Sequence, residues 1–222
     1  MATQLTLGPA VVAPPACDDA DRPLAPGAVL MRGLALGDER QLLADVDAVA
    51  GVAGFRNMVT PGGLRMSVAM TSCGALGWVS DRAGYRYAAR DPQRDAPWPP
   101  MPASFLALAS AAAARAGFAG FEPDSCLVNR YQPGTRLTLH QDKNERDYGA
   151  PIVSVSLGLP AIFLFGGPSR ADRPVRVPLL HGDVVVWGGP ARLRYHGVLP
   201  LKPGQHPAVG PYRINLTLRK AG

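Results

Sequence analysis

Seven residues near the end of the chain, Arg213-Ile214-Asn215-Leu216-Thr217-Leu218-Arg219, alternate without a break between polar and apolar. Side chains two apart on a strand share a face. The run therefore reads as a β-strand with Ile214, Leu216 and Leu218 turned to a core. Its other face carries two guanidiniums separated by an amide and a hydroxyl. Such a face either looks into water, as the outer side of a half-buried strand does, or grips an acid. Two further segments favour the acid. Asn129 and Tyr131 share a face in Asn129-Arg130-Tyr131, and Ser154 and Ser156 alternate with Val153 and Val155. Polar strand faces that converge inside a barrel form a pocket in which arginine neutralises a carboxylate and hydroxyls orient it. A keto acid needs such a site.

The segment Arg136-Leu137-Thr138-Leu139-His140-Gln141-Asp142 alternates in the same way and points His140 and Asp142 to one side. Two histidines and one carboxylate occupy one face of an octahedral iron(II) and leave positions for other ligands. With four histidines in the chain, the partner of His140 is His181, His196 or His206. His181 lies in His181-Gly182-Asp183, a turn before the apolar strand Val184 to Trp187. His196 lies in Arg194-Tyr195-His196-Gly197. An isolated His-x-Asp is also what a surface strand carries, so the pair gains meaning only from its surroundings. Cys17, Cys73 and Cys126 form no C-x-x-C pair, which argues against a disulfide framework and against the closed cysteine set of a structural zinc.

With 222 residues the chain suits one domain with a sizeable core. Residues 1–26, rich in Ala, Pro and Asp, read as a mobile tail, and residues 27–222 as a single domain. A helix is expected from Asp38 as N-cap, through Leu42, Leu43, Val46 and Val49, to Gly51. A second is expected from about Pro102 to Arg115, ended by Gly117. Residues 52–100, with Gly62, Gly63, Gly74, Gly77 and Gly84 and with Trp78, Tyr85, Tyr87 and Trp98, read as short strands and loops. From about residue 121 short Val, Ile, Leu and aromatic runs punctuated by Gly and Pro predict antiparallel strands in a sandwich or barrel.

Three of the 23 basic residues are lysines and the rest arginines, with a net charge of +6. Arginine's fork suits phosphates, which makes a polyanionic partner plausible, although base composition of the coding DNA explains the bias equally well. No segment approaches the ~20 apolar residues of a membrane span, and neither a leader nor a membrane partner is expected. The cytoplasm is the expected compartment.

Taken together, Asn129-x-Tyr131, His140-x-Asp142, His196 and Arg213-x-Asn215-x-Thr217-x-Arg219 resemble the AlkB family of iron(II)- and 2-oxoglutarate-dependent nucleic-acid dealkylases, close to its bacterial founding member. The likeness runs from about Gly27 to Arg219 and takes in Thr60-Pro61-Gly62-Gly63, Met66 to Met70 and the Ser-Leu-Gly-Leu-Pro run from Ser156. It implies a mainly β fold with flanking helices. The core would be a double-stranded β-helix, or jelly roll, over about 121–220, preceded by a nucleotide-recognition lid and buttressing helices over about 27–120. It implies iron(II) at His140, Asp142 and His196. It places the co-substrate 2-oxoglutarate against Asn129, Arg130, Tyr131, Arg213, Asn215, Thr217 and Arg219, with Arg213 at the distal carboxylate and Leu137 and Trp187 as walls. Leu137 and Trp187 would otherwise be ordinary core.

For the substrate the resemblance points to Thr60, Met70 and Trp78, with Trp78 stacked on an extruded base opposite His140. Tyr85, Arg86 and Tyr87 would meet backbone and phosphate, and Lys143, Asn144, Glu145 and Arg170 would border the base. Trp78 as a cap on the core is the plainer alternative. Two positions depart from the founding member: Leu64 stands for a tyrosine and Asn144 for an aspartate, which puts base preference in doubt. The implied reaction is oxidative demethylation of bases such as N1-methyladenine and N3-methylcytosine with dioxygen as second co-substrate. Formaldehyde, succinate and carbon dioxide would be released, which is direct reversal of alkylation damage. The expected partner of a monomer is single- or double-stranded DNA, with RNA as a second polynucleotide. The competing readings are a 2-oxoglutarate oxygenase for a protein or small molecule and a non-catalytic single-strand binding module.

Overall fold

The computed structural model describes residues 21–222. It opens on a hairpin of β1 (Arg22–Ala25) and β2 (Ala28–Met31). Pro26 and Gly27 form the turn, and Gly27 takes φ +77°, as the third position of a type II turn demands. Folded structure thus begins before Gly27, and the stretch expected as a tail ends in a strand; residues 1–20 lie outside the described residues. Composition hid this hairpin, because Pro23 reads as a breaker. It is tolerated where β1 forms the edge of its sheet and one missing N–H leaves no partner unpaired.

Helix α1 (Glu39–Val52) follows, with Asp38 at the N-cap position but without a side-chain capping bond, and it runs one residue past Gly51. The glycine-bearing region then forms β3 (Ala69–Gly74), β4 (Gly77–Asp81), β5 (Gly84–Ala88), β6 (Arg90–Asp91) and β7 (Ala96–Pro97). Helix α2 (Ala103–Arg115) has Pro102 at its N-cap, and Gly117 leaves it at φ +90°.

Eight strands complete the chain: β8 (Ser125–Tyr131), β9 (Leu137–His140), β10 (Ile152–Gly158), β11 (Ala161–Phe165), β12 (Val175–Leu179), β13 (Val184–Trp187), β14 (His196–Val198) and β15 (Arg213–Arg219). They wind between two antiparallel sheets. One has the order β1-β2-β13-β10-β15-β8-β3 and the other β12-β11-β14-β9. This is the expected jelly roll.

Alternation divides the larger sheet. Val153, Val155, Ile214, Leu216 and Leu218 pack against Leu42, Val46 and Val49 of α1 and Phe105, Leu108 and Ala112 of α2. Each fully buried Leu, Ile or Val there contributes about 1.5–3 kcal/mol. The intervening side chains face the smaller sheet. At one end of that interior Tyr131, Ile152, Val185 and Trp187 meet Phe163, Phe165 and Val177. Tyr131, Trp187 and Phe163 of this cluster border a cavity lined also by polar side chains, and the site lies there.

The smaller sheet sets its most demanding contact at Gly197. His196 on β14 pairs with His140 on β9, and the register then slips before Val198 pairs with Leu137. A Cβ on Gly197 would lie 2.8 Å from the Leu137 carbonyl oxygen and 3.2 Å from the Leu139 nitrogen, both backbone and unable to swing away. Gly197→Ala is therefore expected to push β14 from β9. The cost should be about 1–3 kcal/mol of stability, with a matching loss of metal affinity as the histidines part. Denaturant unfolding and a cobalt(II) titration check the two effects.

Candidate active site

Two segments that are distant in sequence bring His140 and Asp142 together with His196. Their ligand atoms all lie within 4.8 Å of one another. His140 Nε2 is 3.7 Å from Asp142 Oδ1 and His196 Nε2 is 3.6 Å from Asp142 Oδ2. Each imidazole is oriented by its own backbone: Nδ1 of His140 bonds the Thr138 carbonyl at 2.8 Å, and Nδ1 of His196 bonds the Arg194 carbonyl at 3.0 Å. With Nδ1–H as donor, Nε2 keeps its lone pair for a metal. Of the alternative partners, His181 and His206 stack on each other with ring centroids 4.3 Å apart, outside the cluster.

The charges favour the ligand states. Desolvation pushes His140 down to about 4, helped by the neighbouring His196. Desolvation acts to raise Asp142, but Arg219 and then His196 hold its carboxyl well below the usual range. Arg219 donates to Asp142 Oδ2 from Nε at 3.0 Å and from Nη2 at 2.7 Å.

Beyond this cluster the inner face of β15 floors a cavity of about 480 Å³. Arg213, 1% exposed, donates to Ser156 Oγ at 3.0 Å and lies 4.9 Å from the Tyr131 ring centroid. Its Nε and Nη1 find no protein partner, nor do Tyr131 OH, Asn129 Oδ1, Trp187 Nε1 and Arg219 Nη1. Buried polar atoms without partners are costly, and all five residues line the same cavity. A dicarboxylate with one end near Arg213 would accept from the donors among them, on Arg213, Tyr131, Trp187 and Arg219. Asn215 has another part: it donates to Ser154 Oγ and the Val155 carbonyl and accepts from Thr217 and Asn129. Its bonding is spent on holding its neighbours in place. Leu137 and Trp187 both wall the cavity.

Arg130 does not join them. Between Asn129 and Tyr131 it projects from the opposite face of β8, where it stacks 4.4 Å from the Phe55 ring centroid and 5.2 Å from that of Tyr212. Strand alternation, which links Asn129 to Tyr131, excludes the residue between them.

At the mouth, Thr60, Met70, Trp78, Tyr85, Lys143, Asn144 and Arg170 line the same cavity. Trp78 and Tyr85 lie nearly parallel on the β4–β5 hairpin, with centroids 5.7 Å apart. Three expected contacts fall elsewhere. Arg86 is on the reverse face of β5 in a two-pronged pair with Asp81. Tyr87 turns inward and donates to Glu145 Oε1 at 2.5 Å, and Glu145, 6% exposed, is held by Arg192. Leu64, one of the two departures, is 74% exposed at the turn after Thr60. Sequence reading missed Arg192 altogether, because it occupies an irregular turn with no periodicity and is one of many arginines.

A facial pair of histidines with one carboxylate inside a jelly roll, beside an arginine-floored acid pocket, defines an oxygenase that uses iron(II) and a keto acid. The chain belongs to the AlkB family of the 2OG-Fe(II) oxygenase superfamily, whose pattern residues 27–219 match. It is 59% identical over 199 residues to the alpha-ketoglutarate-dependent dioxygenase AlkB of Salmonella typhimurium, covering 90% of this chain and 92% of that one. Over 132 residues it is 34% identical to the nucleic acid dioxygenase ALKBH1 of Mus musculus, covering 60% and 33% of the two chains. The solved structure of OsALKBH1 superposes with a TM-score of 0.75 at 31% identity, covering 89% of this chain and 100% of that one. Among the described residues no helix is long and apolar enough to cross a membrane.

Arg213→Met removes a desolvated charge that lacks a carboxylate partner. Without ligands the variant is expected to melt no lower than the parent. Binding of 2-oxoglutarate should weaken by about 2–5 kcal/mol, so the stabilisation it gives with manganese(II) should vanish in calorimetry. Acid should also destabilise the metal-free protein. His140 titrates near about 4 when folded and near about 6.5 when unfolded, so the unfolded chain binds more protons between those values. The melting temperature is expected to fall as pH drops through that window, and less so in His140→Gln.

Proposed function

We propose that this enzyme oxidatively dealkylates N-alkylated bases in nucleic acid, N1-methyladenine and N3-methylcytosine among them, as direct reversal of alkylation damage. One observation carries the reading: the cavity is continuous from the acid pocket, past the His140, Asp142 and His196 ligand atoms, to the Trp78 and Tyr85 rings. A co-substrate bound at the floor and an aromatic base held at the mouth would meet at the metal.

Iron(II), when bound, supplies with dioxygen and 2-oxoglutarate the oxidising equivalent that hydroxylates the N-alkyl carbon. The hydroxylated carbon leaves as formaldehyde, and the co-substrate leaves as succinate and carbon dioxide.

The chain's own residues do the positioning. His140, Asp142 and His196 would hold the ion on one face, and Arg219 fixes the Asp142 carboxylate so that both its oxygens face the imidazoles. Arg213 would neutralise the distal carboxylate of 2-oxoglutarate, with the Tyr131 hydroxyl donating beside it. Phe163 and Trp187 pack their rings 6.0 and 5.1 Å from that of His196, which shields the His196 side of the ligand cluster from water. Trp78 and Tyr85 offer the flat apolar surface that an unstacked base requires. Lys143 and Arg170 sit at the mouth, where a phosphate would pass. Nothing in this arrangement needs the strand to be cut, and a single protomer carries every group named. We place the enzyme in the cytoplasm with DNA as substrate and RNA as a second.

The deciding assay measures formaldehyde from an N1-methyladenine oligonucleotide with iron(II), ascorbate and oxygen, with and without 2-oxoglutarate. Release that depends on 2-oxoglutarate is expected, and keto-acid turnover without formaldehyde would remove the substrate assigned here. Trp78→Ala should weaken oligonucleotide binding by about 1–3 kcal/mol, the usual worth of one stacked base, and leave iron and 2-oxoglutarate affinities in place.

A further inference from the structure

Arg192 touches neither the cavity nor solvent, yet it holds the loop between β9 and β10 at three points, one of them the metal-ligand residue Asp142. It is 3% exposed and follows the short 3-10 turn Gly189–Ala191, four positions before His196. Its Nη1 donates to the backbone carbonyl of Asp142 at 2.8 Å and its Nε to that of Ala150 at 3.1 Å. Its Nη2 lies 3.1 Å from Glu145 Oε2. A second stitch runs alongside: Gln141 Nε2 donates to the Leu193 carbonyl at 2.6 Å. The loop that carries Asp142 is thereby bound to the turn that carries His196.

Glu145 extends the connection to the substrate side. Its Oε1 accepts the Tyr87 hydroxyl at 2.5 Å and lies 3.5 Å from Arg219 Nε. Burial raises Tyr87 well above the ordinary phenol range against the opposing charge of Arg219, so the hydroxyl stays protonated and donates. Tyr87 is the register partner of Trp78, on the hairpin whose Trp78 and Tyr85 form the mouth. A charged pair in this setting costs desolvation on both sides. A guanidinium is suited to it because one planar fork donates to two carbonyls at fixed angles while its charge is paired with a carboxylate, which an ammonium does less well.

We propose that Arg192, Glu145 and Tyr87 form a buried brace that fixes the distance between the metal ligands and the base-binding hairpin. The three are positioning residues, and none contacts substrate or co-substrate. This assigns Glu145 and Tyr87 a role different from the substrate contact that resemblance suggested. The brace rests on the proposed dealkylase reading for its substrate half and on the ligand geometry alone for its metal half. Its two ends have separate signatures. Loss of Arg192 loosens Asp142 against His196 and weakens the metal. Loss of the Tyr87 hydroxyl frees the hairpin alone, so oxidation proceeds with the alkyl carbon out of place and co-substrate is consumed without product.

Two readouts test this in the full-length protein: the cobalt(II) dissociation constant, from visible absorption in the presence of 2-oxoglutarate, and the ratio of formaldehyde to succinate on an N1-methyladenine oligonucleotide. Tyr87→Phe is expected to hold cobalt(II) within about twofold of the parent while its formaldehyde-to-succinate ratio drops, whereas Arg192→Lys should weaken cobalt(II) by about 10- to 100-fold, the usual effect of losing an outer-shell partner. A Tyr87→Phe enzyme with an unchanged ratio overturns the substrate half, and folded Arg192→Lys with parental cobalt(II) affinity overturns the metal half. Should Arg192→Lys fail to fold, Gln141→Ala, which cuts the exposed stitch between the same two segments, must weaken cobalt(II) or the metal half falls. A parent enzyme that makes succinate but no formaldehyde refutes the dealkylase reading and with it the substrate half, and the cobalt(II) arm still decides the metal half.

Discussion

A guanidinium carried between two β-sheets must be answered there by an acceptor, because the water it leaves behind is worth several kilocalories per mole. Arg219 is answered by the Asp142 carboxylate and Arg192 by Glu145 and two backbone carbonyls. Arg213 has a serine hydroxyl and a tyrosine ring. That inequality organises the interior. Where the charges are matched, they tie the metal-ligand segments to β15 and to the turn before β14. Where one is left over, the protein has room for an acid brought from outside.

The same strand that carries Arg213 and Arg219 inward also carries Ile214, Leu216 and Leu218 outward onto the two helices. Buttressing and binding are therefore coupled through one backbone: the apolar contacts that anchor β15 set the depth at which its arginines sit. Short side chains on the neighbouring β10, Ser154 opposite Thr217 and Ser156 opposite Asn215, leave volume for a ligand where larger residues would fill it. The metal ligands come from the other sheet and the loop after it. The site thus spans the seam of the sandwich, and the close approach of β14 to β9 at Gly197 brings the two imidazoles into register.

Much of this was legible in the chain itself. Alternation in β15 and around His140 marked which side chains share a face, because period two is a property of the local backbone. Both helices were found for the same reason, from apolar spacing and from Pro102 and Gly117 at the ends of the second. The His140-x-Asp142 pair and the polar face of β15 are legible from spacing and residue type, and the family resemblance supplies His196. Alternation also contained the correction for Arg130, which sits at the odd position between Asn129 and Tyr131 and so had to face away. Strand β1 was obscured because two prolines outweighed a short edge pairing that only the rest of the sheet makes visible.

The sequence by itself determined the strand faces, the helices, the family and the identities of the ligands, since each depends on spacing along a chain or on residue chemistry. Only the tertiary structure decided what those faces meet. It spent Asn215 on its neighbours, turned Tyr87 and Glu145 away from the mouth, and brought Arg192 from an irregular turn to the backbone of Asp142. These outcomes hang on contacts between residues 50 or more positions apart. No local pattern encodes such contacts, because the free energy that fixes them is the pairing of buried charges, and that exists only once the sheets have closed.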